Sequence, residues 1–197
     1  MPKISEARKE ERRRQILDAA WTCFEREGLH ATTMQDIIRV SGLSAGAVYG
    51  YFPSKEELIV VAVTTSLAGL NERLAPLLAN PPASPDALLG AILDEVAGFT
   101  RRDGYDLRRI ALLGWSEAQR NPRLREIMRV RYGTFRDGLR AVALQWRASG
   151  VIGPAADPDA VAKALLSLIL GYVVQVALLD DVSPGEVAAG LAALPRA

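Results

Sequence analysis

Apolar residues recur at three- and four-residue intervals through most of this chain, and capping residues, glycines and prolines interrupt them rather than strand-like alternation. The pattern predicts an all-α protein of about nine helices, with no strand pairs and no internal repeat. The first helix, from about Ile4 or Glu6 to Glu27, carries Ile16, Leu17, Ala20, Trp21 and Phe24 as one stripe, and Gly28 ends it. Thr33 starts a short second helix. It is a favoured N-cap, Asp36 holds the reciprocal capping-box position, and Ile37, Ile38 and Val40 supply an apolar face. Ser41-Gly42-Leu43 then breaks the helix. Gly42 suits the left-handed conformation that terminates helices, Leu43 is placed to plug the interhelical angle, and Ser44 caps a third helix at once. This spacing is that of a helix-turn-helix, in which the second helix of the pair enters the major groove while Val48 and Phe52 point inward.

Pro53 stops that helix, and Ser54 with Glu57 forms a capping box for a fourth, from Lys55 to about Leu78. Its apolar positions, among them Leu58, Ile59, Val61, Ala62, Val63, Leu67, Leu70 and Leu74, cover too wide a surface for one neighbour. It is expected to join two domains. Asn80 to Pro85 reads as a linker, with Pro85 opening a fifth helix to about Arg102. A turn at Arg101 to Gly104 leads to a sixth helix ending near Arg120, and Asn121-Pro122 starts a seventh that Gly150 ends. Asp157-Pro158 caps an eighth helix to about Leu179, and Ser183 with Glu186 opens a ninth to about Leu194. These last two carry more apolar residues than one stripe uses, including Leu165, Leu168, Ile169, Tyr172, Val176, Leu179, Val187 and Leu191. A monomer would expose many of them, which marks an interface.

Composition acts mainly by exclusion. The 197 residues are 49% hydrophobic, enough for a real core in one large or two small domains. The net charge is +1; residues 1 to 55 hold 9 Lys and Arg against 7 Asp and Glu, and the remainder 15 against 16, so the first segment is only slightly basic. A single cysteine, Cys23, excludes an internal disulfide and a cysteine-rich zinc site, and its apolar neighbours Ala19, Ala20 and Phe24 suggest a buried structural thiol. No signal-peptide core is recognised at the N-terminus. The most apolar run, Ala164 to Leu179, has 16 residues with Gln175 inside it, short of the ~20 that span a bilayer. A cytoplasmic protein without membrane segments is expected. With His30 as the only histidine, no histidine metal cluster or Ser-His-Asp set can be assembled. Glycines at 42, 46 and 50 follow no strand and precede no Gly-Lys-Ser, so they form no phosphate loop. Paired acids at Asp94-Glu95 and Asp180-Asp181 read as solvated carboxylates. Hence no catalytic residue, metal ligand or cofactor is expected.

Taken together, Thr32-Thr33, Gly42, Tyr49-Gly50-Tyr51-Phe52 and Ser54-Lys55-Glu56-Glu57-Leu58 resemble the DNA-binding domain of the TetR family of bacterial repressors, over about residues 10 to 60. The resemblance implies a homodimer, with residues 1–52 binding a palindromic operator and residues 53–197 serving regulation and dimerisation. Helices eight and nine of each subunit would form a four-helix interface. On the DNA, Thr33, Ser44, Tyr49 and Lys55 are the phosphate-side candidates, through hydroxyls, helix N-termini and one cation. Gln35, Ala45, Gly46 and Tyr49 face the bases, where Gln35 suits adenine and the alanine and glycine offer only methyl or van der Waals contact. Lys3, Arg8, Lys9, Arg12, Arg13 and Arg14 form either an arm toward phosphates or a solvated face with ion pairs at helical spacing. For the effector, expected to be small and largely apolar, the candidates are Phe99, Trp115, Met128, Tyr132, Phe135, Tyr172 and Gln175, each equally accountable as core. An all-α interaction module and a small all-α enzyme stay open as alternatives at this point. Salt-dependent binding to a palindromic duplex separates the repressor from both.

Overall fold

Helix boundaries in the computed structural model, which describes residues 6–100 and 107–194, fall where the caps stand. The described residues form α1 (Glu6–Ala31), α2 (Met34–Ser41), α3 (Ala45–Tyr51), α4 (Lys55–Ala79), α5 (Pro85–Thr100), α6 (Leu107–Ala118), α7 (Pro122–Ala148), α8 (Pro158–Leu178) and α9 (Pro184–Ala193), with no strand among them. Ile4, Lys3 and the turn at 101–104 lie outside the described residues. Gly28 does end the regular part of α1: its φ of 79° and ψ of 168° interrupt the helix, and one further turn follows to Ala31. The buried Thr32 hydroxyl secures this kink, 2.8 Å from Gly28 O and 3.1 Å from Cys23 O. Two of the three expected capping boxes form, at Thr33 with Asp36 and at Ser183 with Glu186; at Ser54 only half of the box is made, its hydroxyl accepting from Glu57 N at 3.2 Å, because the Glu57 carboxylate is held by Arg123 instead.

Two apolar clusters hold the helices together. The first collects Ile16, Ala20 and Phe24 of α1, Ile37 of α2, Val48 of α3 and Phe52, with Leu58, Ile59 and Ala62 of α4. Ala118 of α6 and Leu124 and Met128 of α7 belong to it as well, so the core of the hairpin continues past residue 52. The second collects Leu74 of α4, Leu88, Leu89, Ile92 and Leu93 of α5, Leu139, Val142 and Trp146 of α7, and Leu165, Ile169 and Tyr172 of α8. Each fully buried Leu, Ile or Phe contributes about 1.5–3 kcal/mol relative to exposure. Helix α4 is therefore held at both ends, its first turns by the hairpin cluster and its later turns by the second. Its broad apolar surface is the sequence signature of that double duty.

Three details differ from expectation. Val40 does not join Ile37 in the core; it is 41% exposed, because the short α2 turns only Ile37 fully inward and Ile38 partly. Tyr172, expected on the dimer face, is buried within the second cluster. The apolar run at 164–179 belongs to a longer helix, the 21-residue α8, and both α8 and α4 are long and apolar enough by length and composition to cross a bilayer. In this structure α8 packs on α7 and α6, and α4 on α5 and α7. Leu168, Leu178, Leu179 and Leu194 stay exposed along α8, its end and the end of α9.

Candidate nucleic-acid interface and effector cavity

The hairpin geometry follows from its caps. Thr33 N and Oγ1 donate to Asp36 Oδ2 at 3.0 and 2.6 Å, and Asp36 N donates back to Thr33 Oγ1 at 3.2 Å. The Thr33 hydroxyl and backbone N–H hold the Asp36 carboxyl below the usual carboxylate range. The Thr33 hydroxyl hydrogen is thus spent inside the cap. At the other end of α2, Gly42 adopts φ 66°, ψ 13°, and Gln15 Nε2 of α1 donates to Ser41 O at 2.7 Å. Leu43 is half-buried against the first cluster, filling the angle between α2 and α3. Ser44 Oγ then accepts from Ala47 N at 3.3 Å, starting α3.

Because Val48 and Phe52 anchor the inner face of α3, the opposite face is presented to solvent. Ser44, Ala45, Gly46 and Gly50 are exposed there, Tyr49 is 48% exposed, and Gln35 of α2 is exposed beside them. A Cβ built at Gly46 or Gly50 would meet nothing within 4 Å, so neither glycine is demanded by internal packing. An exposed tyrosine flanked by side-chain-free positions lets another molecule approach the backbone closely. The basic first turns of α1 are partly paired within the helix, Lys9 with Glu6 at 2.7 Å and Arg13 with Glu10 at 3.6 Å, and Arg13 also stands 6.0 Å from the Phe52 ring centroid.

Lys55 departs from its expected role. Its Nζ donates to Leu29 O at 3.0 Å, His30 O at 3.1 Å and Thr32 O at 3.0 Å. An ammonium has three donors, and here all three are engaged within the chain. The reason is local: the interruption at Gly28 leaves the carbonyls after it without helical partners, and the first residue of α4 folds back over them. Two further contacts tie this region to the later helices. Arg123, at the start of α7, grips both carboxylate oxygens of Glu57 in α4, and Arg120 Nη1 lies 3.4 Å from His30 Nε2.

A cavity of about 90 Å³ lies between α4, α5, α6, α7 and α8. Trp115, Tyr132 and Phe135 line it as expected, and Trp115 Nε1 donates to Tyr132 Oη at 2.8 Å. Burial pushes the Tyr132 phenol up, against the smaller opposing effect of that bond. The other four candidates are elsewhere. Phe99 packs on Gly69 of α4 beneath the Arg73 guanidinium, 5.9 Å from the ring centroid, and Met128 is buried in the first cluster. Tyr172 is absorbed by the second cluster, and Gln175 is exposed on α8. The wall from α8 is instead Leu166, Ile169, Leu170 and Val173, a three-and-four spacing that faces one way; Gln175, two residues beyond, turns about 200° from it. Asn71 and Arg131 also line the cavity. Asn71 is the uncharged one of three polar residues between Leu70 and Leu74, and a search among aromatics passes over it.

Buried Cys23 has its thiol pushed up by burial, as fits a structural rather than a reactive group. Among the described residues no group of three or more His, Cys, Asp or Glu is placed to hold a metal ion.

Comparison with known proteins agrees with both halves of this arrangement. Residues 16–62 match the family model for bacterial regulatory proteins of the tetR family, and residues 85–194 match that for the C-terminal domain of BetI-type transcriptional repressors. The chain is 32% identical over 192 residues to an uncharacterised HTH-type transcriptional regulator, YfiR, of Bacillus subtilis (strain 168), covering 97% of this chain and 91% of that one. It is 27% identical to the HTH-type transcriptional regulator BetI of Rhizobium meliloti (strain 1021), over 85% of this chain and 78% of the relative. Among solved structures, a TetR transcription regulator from Haloarcula marismortui has the same fold, with a TM-score of 0.76 at 24% identity and coverage of 93% and 95%. So does a regulator from Saccharomonospora viridis solved in complex with choline, with a TM-score of 0.75 at 24% identity and coverage of 93% and 94%. An exposed recognition helix on a capped hairpin, a helical bundle enclosing an apolar cavity, and family matches to both parts lead to one conclusion: this chain belongs to the TetR family of bacterial transcriptional regulators.

Proposed function

We propose that this regulator is a cytoplasmic repressor, binding a palindromic operator as a homodimer and released from it by a small, largely apolar molecule. Residues 1–52 carry the DNA contacts, and residues 53–197 carry regulation and dimerisation. On the DNA side, Tyr49 supplies a hydroxyl and a ring, Gln35 an amide for adenine, and Ala45 with Gly46 permit close approach to base edges. Ser44 at the N-terminus of α3 favours a phosphate. Thr33 acts through its cap and Lys55 through its clamp, both keeping the hairpin in shape. The dimer forms through α8 and α9, where Leu168 and its exposed neighbours find a cover in the twin subunit.

The observation that carries this reading is the position of α4. Its first turns pack in the hairpin cluster, with Lys55 and Glu57 bound to α1 and α7, while Leu67, Leu70, Asn71 and Leu74 form a wall of the cavity. At about 90 Å³ the cavity is smaller than the ~300 Å³ at which ligand pockets begin. A ligand must widen it, and one wall that moves is α4. Two hairpins on a dimer engage successive major grooves only when their recognition helices are about 34 Å apart, so a displaced α4 alters operator affinity without any change at the base contacts.

Calorimetry of one effector with and without operator tests the coupling. A ligand that weakens operator binding tenfold binds the DNA-bound dimer tenfold more weakly, about 1.4 kcal/mol of coupling. Equal affinity in the two titrations, for a compound shown to occupy the cavity, would refute the role of α4.

A further inference from the structure

The cavity walls are almost wholly apolar, yet their few polar groups share one character. Fourteen of the described residues line the space and none of them is acidic. The Tyr132 hydroxyl oxygen accepts from Trp115 Nε1, and no described residue accepts its hydrogen, which is available to a ligand. Arg131, on the same turn of α7, is exposed to solvent while lining the cavity, which places it where the cavity opens. Its guanidinium makes no ion pair or hydrogen bond with any described residue, and the Asn71 side chain across from it on α4 makes none either. Of the other arginines of α7, Arg123 pairs with Glu57, Arg129 with Glu126 and Arg147 with Ala156 O, Arg136 and Arg140 act on the Asp159 carboxylate, and Arg125 lines no part of the cavity. Here a guanidinium, an amide and a phenol hydrogen stand at one apolar space with no carboxylate among the described lining residues to answer them.

We propose that the effector is an apolar organic anion, a carboxylate in its simplest form, whose hydrocarbon part fills the widened cavity and whose charged end meets Arg131, with Asn71 and Tyr132 as neutral donors. The inference rests on the effector reading above and narrows it to a chemical class. Guanidinium and carboxylate match in charge and in fork geometry, and a bond of this kind at the edge of a low-dielectric space is stronger than one in bulk water. A quaternary ammonium, such as the choline bound by the Saccharomonospora viridis structure, would meet an uncompensated cation and no acid among the residues lining this space.

The test uses the full-length protein and three eight-carbon probes of like hydrocarbon but different head: octanoate, octanol and octyltrimethylammonium, titrated by calorimetry below their aggregation concentrations. Octanoate is expected to bind about tenfold or more tightly than octanol, with octyltrimethylammonium weakest. Arg131→Gln should erase the advantage of octanoate while octanol stays within about twofold, and Arg131→Lys should keep only part of it, since the charge remains and the fork is lost. Circular dichroism confirms that each variant is folded. The proposal is overturned if octyltrimethylammonium equals or exceeds octanoate, if the octanoate preference survives Arg131→Gln, or if none of the three binds. Operator binding by the ligand-free wild type, followed by gel shift, reports separately on the repressor reading. Loss of that binding alone would sink the repressor and leave the anion site standing.

Discussion

Replacing Lys55 by methionine separates two roles that the residue type alone allows. Lys55→Met keeps most of the aliphatic stem and removes the ammonium that reaches Leu29 O, His30 O and Thr32 O at 3.0, 3.1 and 3.0 Å. A hydrogen bond to a charged group contributes about 1.5–3 kcal/mol net. The three bonds share one ammonium and the His30 contact is exposed, so they do not add; about 2 kcal/mol for the set is the reasonable magnitude. For a chain of this size that lowers the melting temperature by about 4–8 °C. Thermal melts at one fixed protein concentration, needed because a dimer's Tm depends on concentration, give the answer directly. A lysine that served only a phosphate would behave in the opposite way. Stability would be untouched, and the slope of log affinity against log salt would fall in magnitude by about 1. A Lys55→Met protein that melts within about 1 °C of wild type, yet shows that reduced salt slope, would refute the clamp.

Tyr49→Ala is expected to lower operator affinity about ten- to a hundredfold, the value of one hydrogen bond to a charged group, while helicity and Tm stay as in wild type; gel-shift titration alongside circular dichroism decides it. Asp36 has a depressed folded pKa, so the cap it forms with Thr33 stabilises the hairpin above the ordinary carboxylate range and loses that contribution as pH falls through the lower folded value. Melts taken from about pH 5 down to about pH 2 should show a steeper loss for wild type than for Asp36→Asn, which lacks the titrating group, and parallel curves would refute it. Leu168→Glu, at a position 37% exposed, should give folded monomers by light scattering, whereas Tyr172→Glu, placing a charge in the second cluster, should unfold the chain; a monomeric wild type at micromolar concentration would contradict the interface.

What was readable in the chain was whatever depends on neighbours in sequence. Thr33 with Asp36, Gly42, Ser44, Ser54 and Pro122 act within a few residues of themselves, so the chain itself marks where helices start and stop, and likewise the inward Val48 and Phe52 and the outward Tyr49 of α3. Contacts across the fold were another matter. Nothing near Lys55 in sequence announces three carbonyls more than twenty residues upstream, and nothing near Arg123 announces Glu57. The cavity shows the same division, since of the five aromatics singled out together with Met128 and Gln175 only Trp115, Tyr132 and Phe135 line it.

The sequence by itself thus determined the helices, the helix-turn-helix and the family likeness, because caps, turns and amphipathic periodicity are local properties of the backbone and its nearest side chains. Only the tertiary structure decided which apolar side chains merely fill space and which surround it. Tyr172 and Val173 are adjacent on one helix, yet a rotation of about 100° between them puts only the second against the cavity. That choice depends on how α8 meets α4, α6 and α7, through contacts between residues scores of positions apart, and no local pattern encodes the outcome.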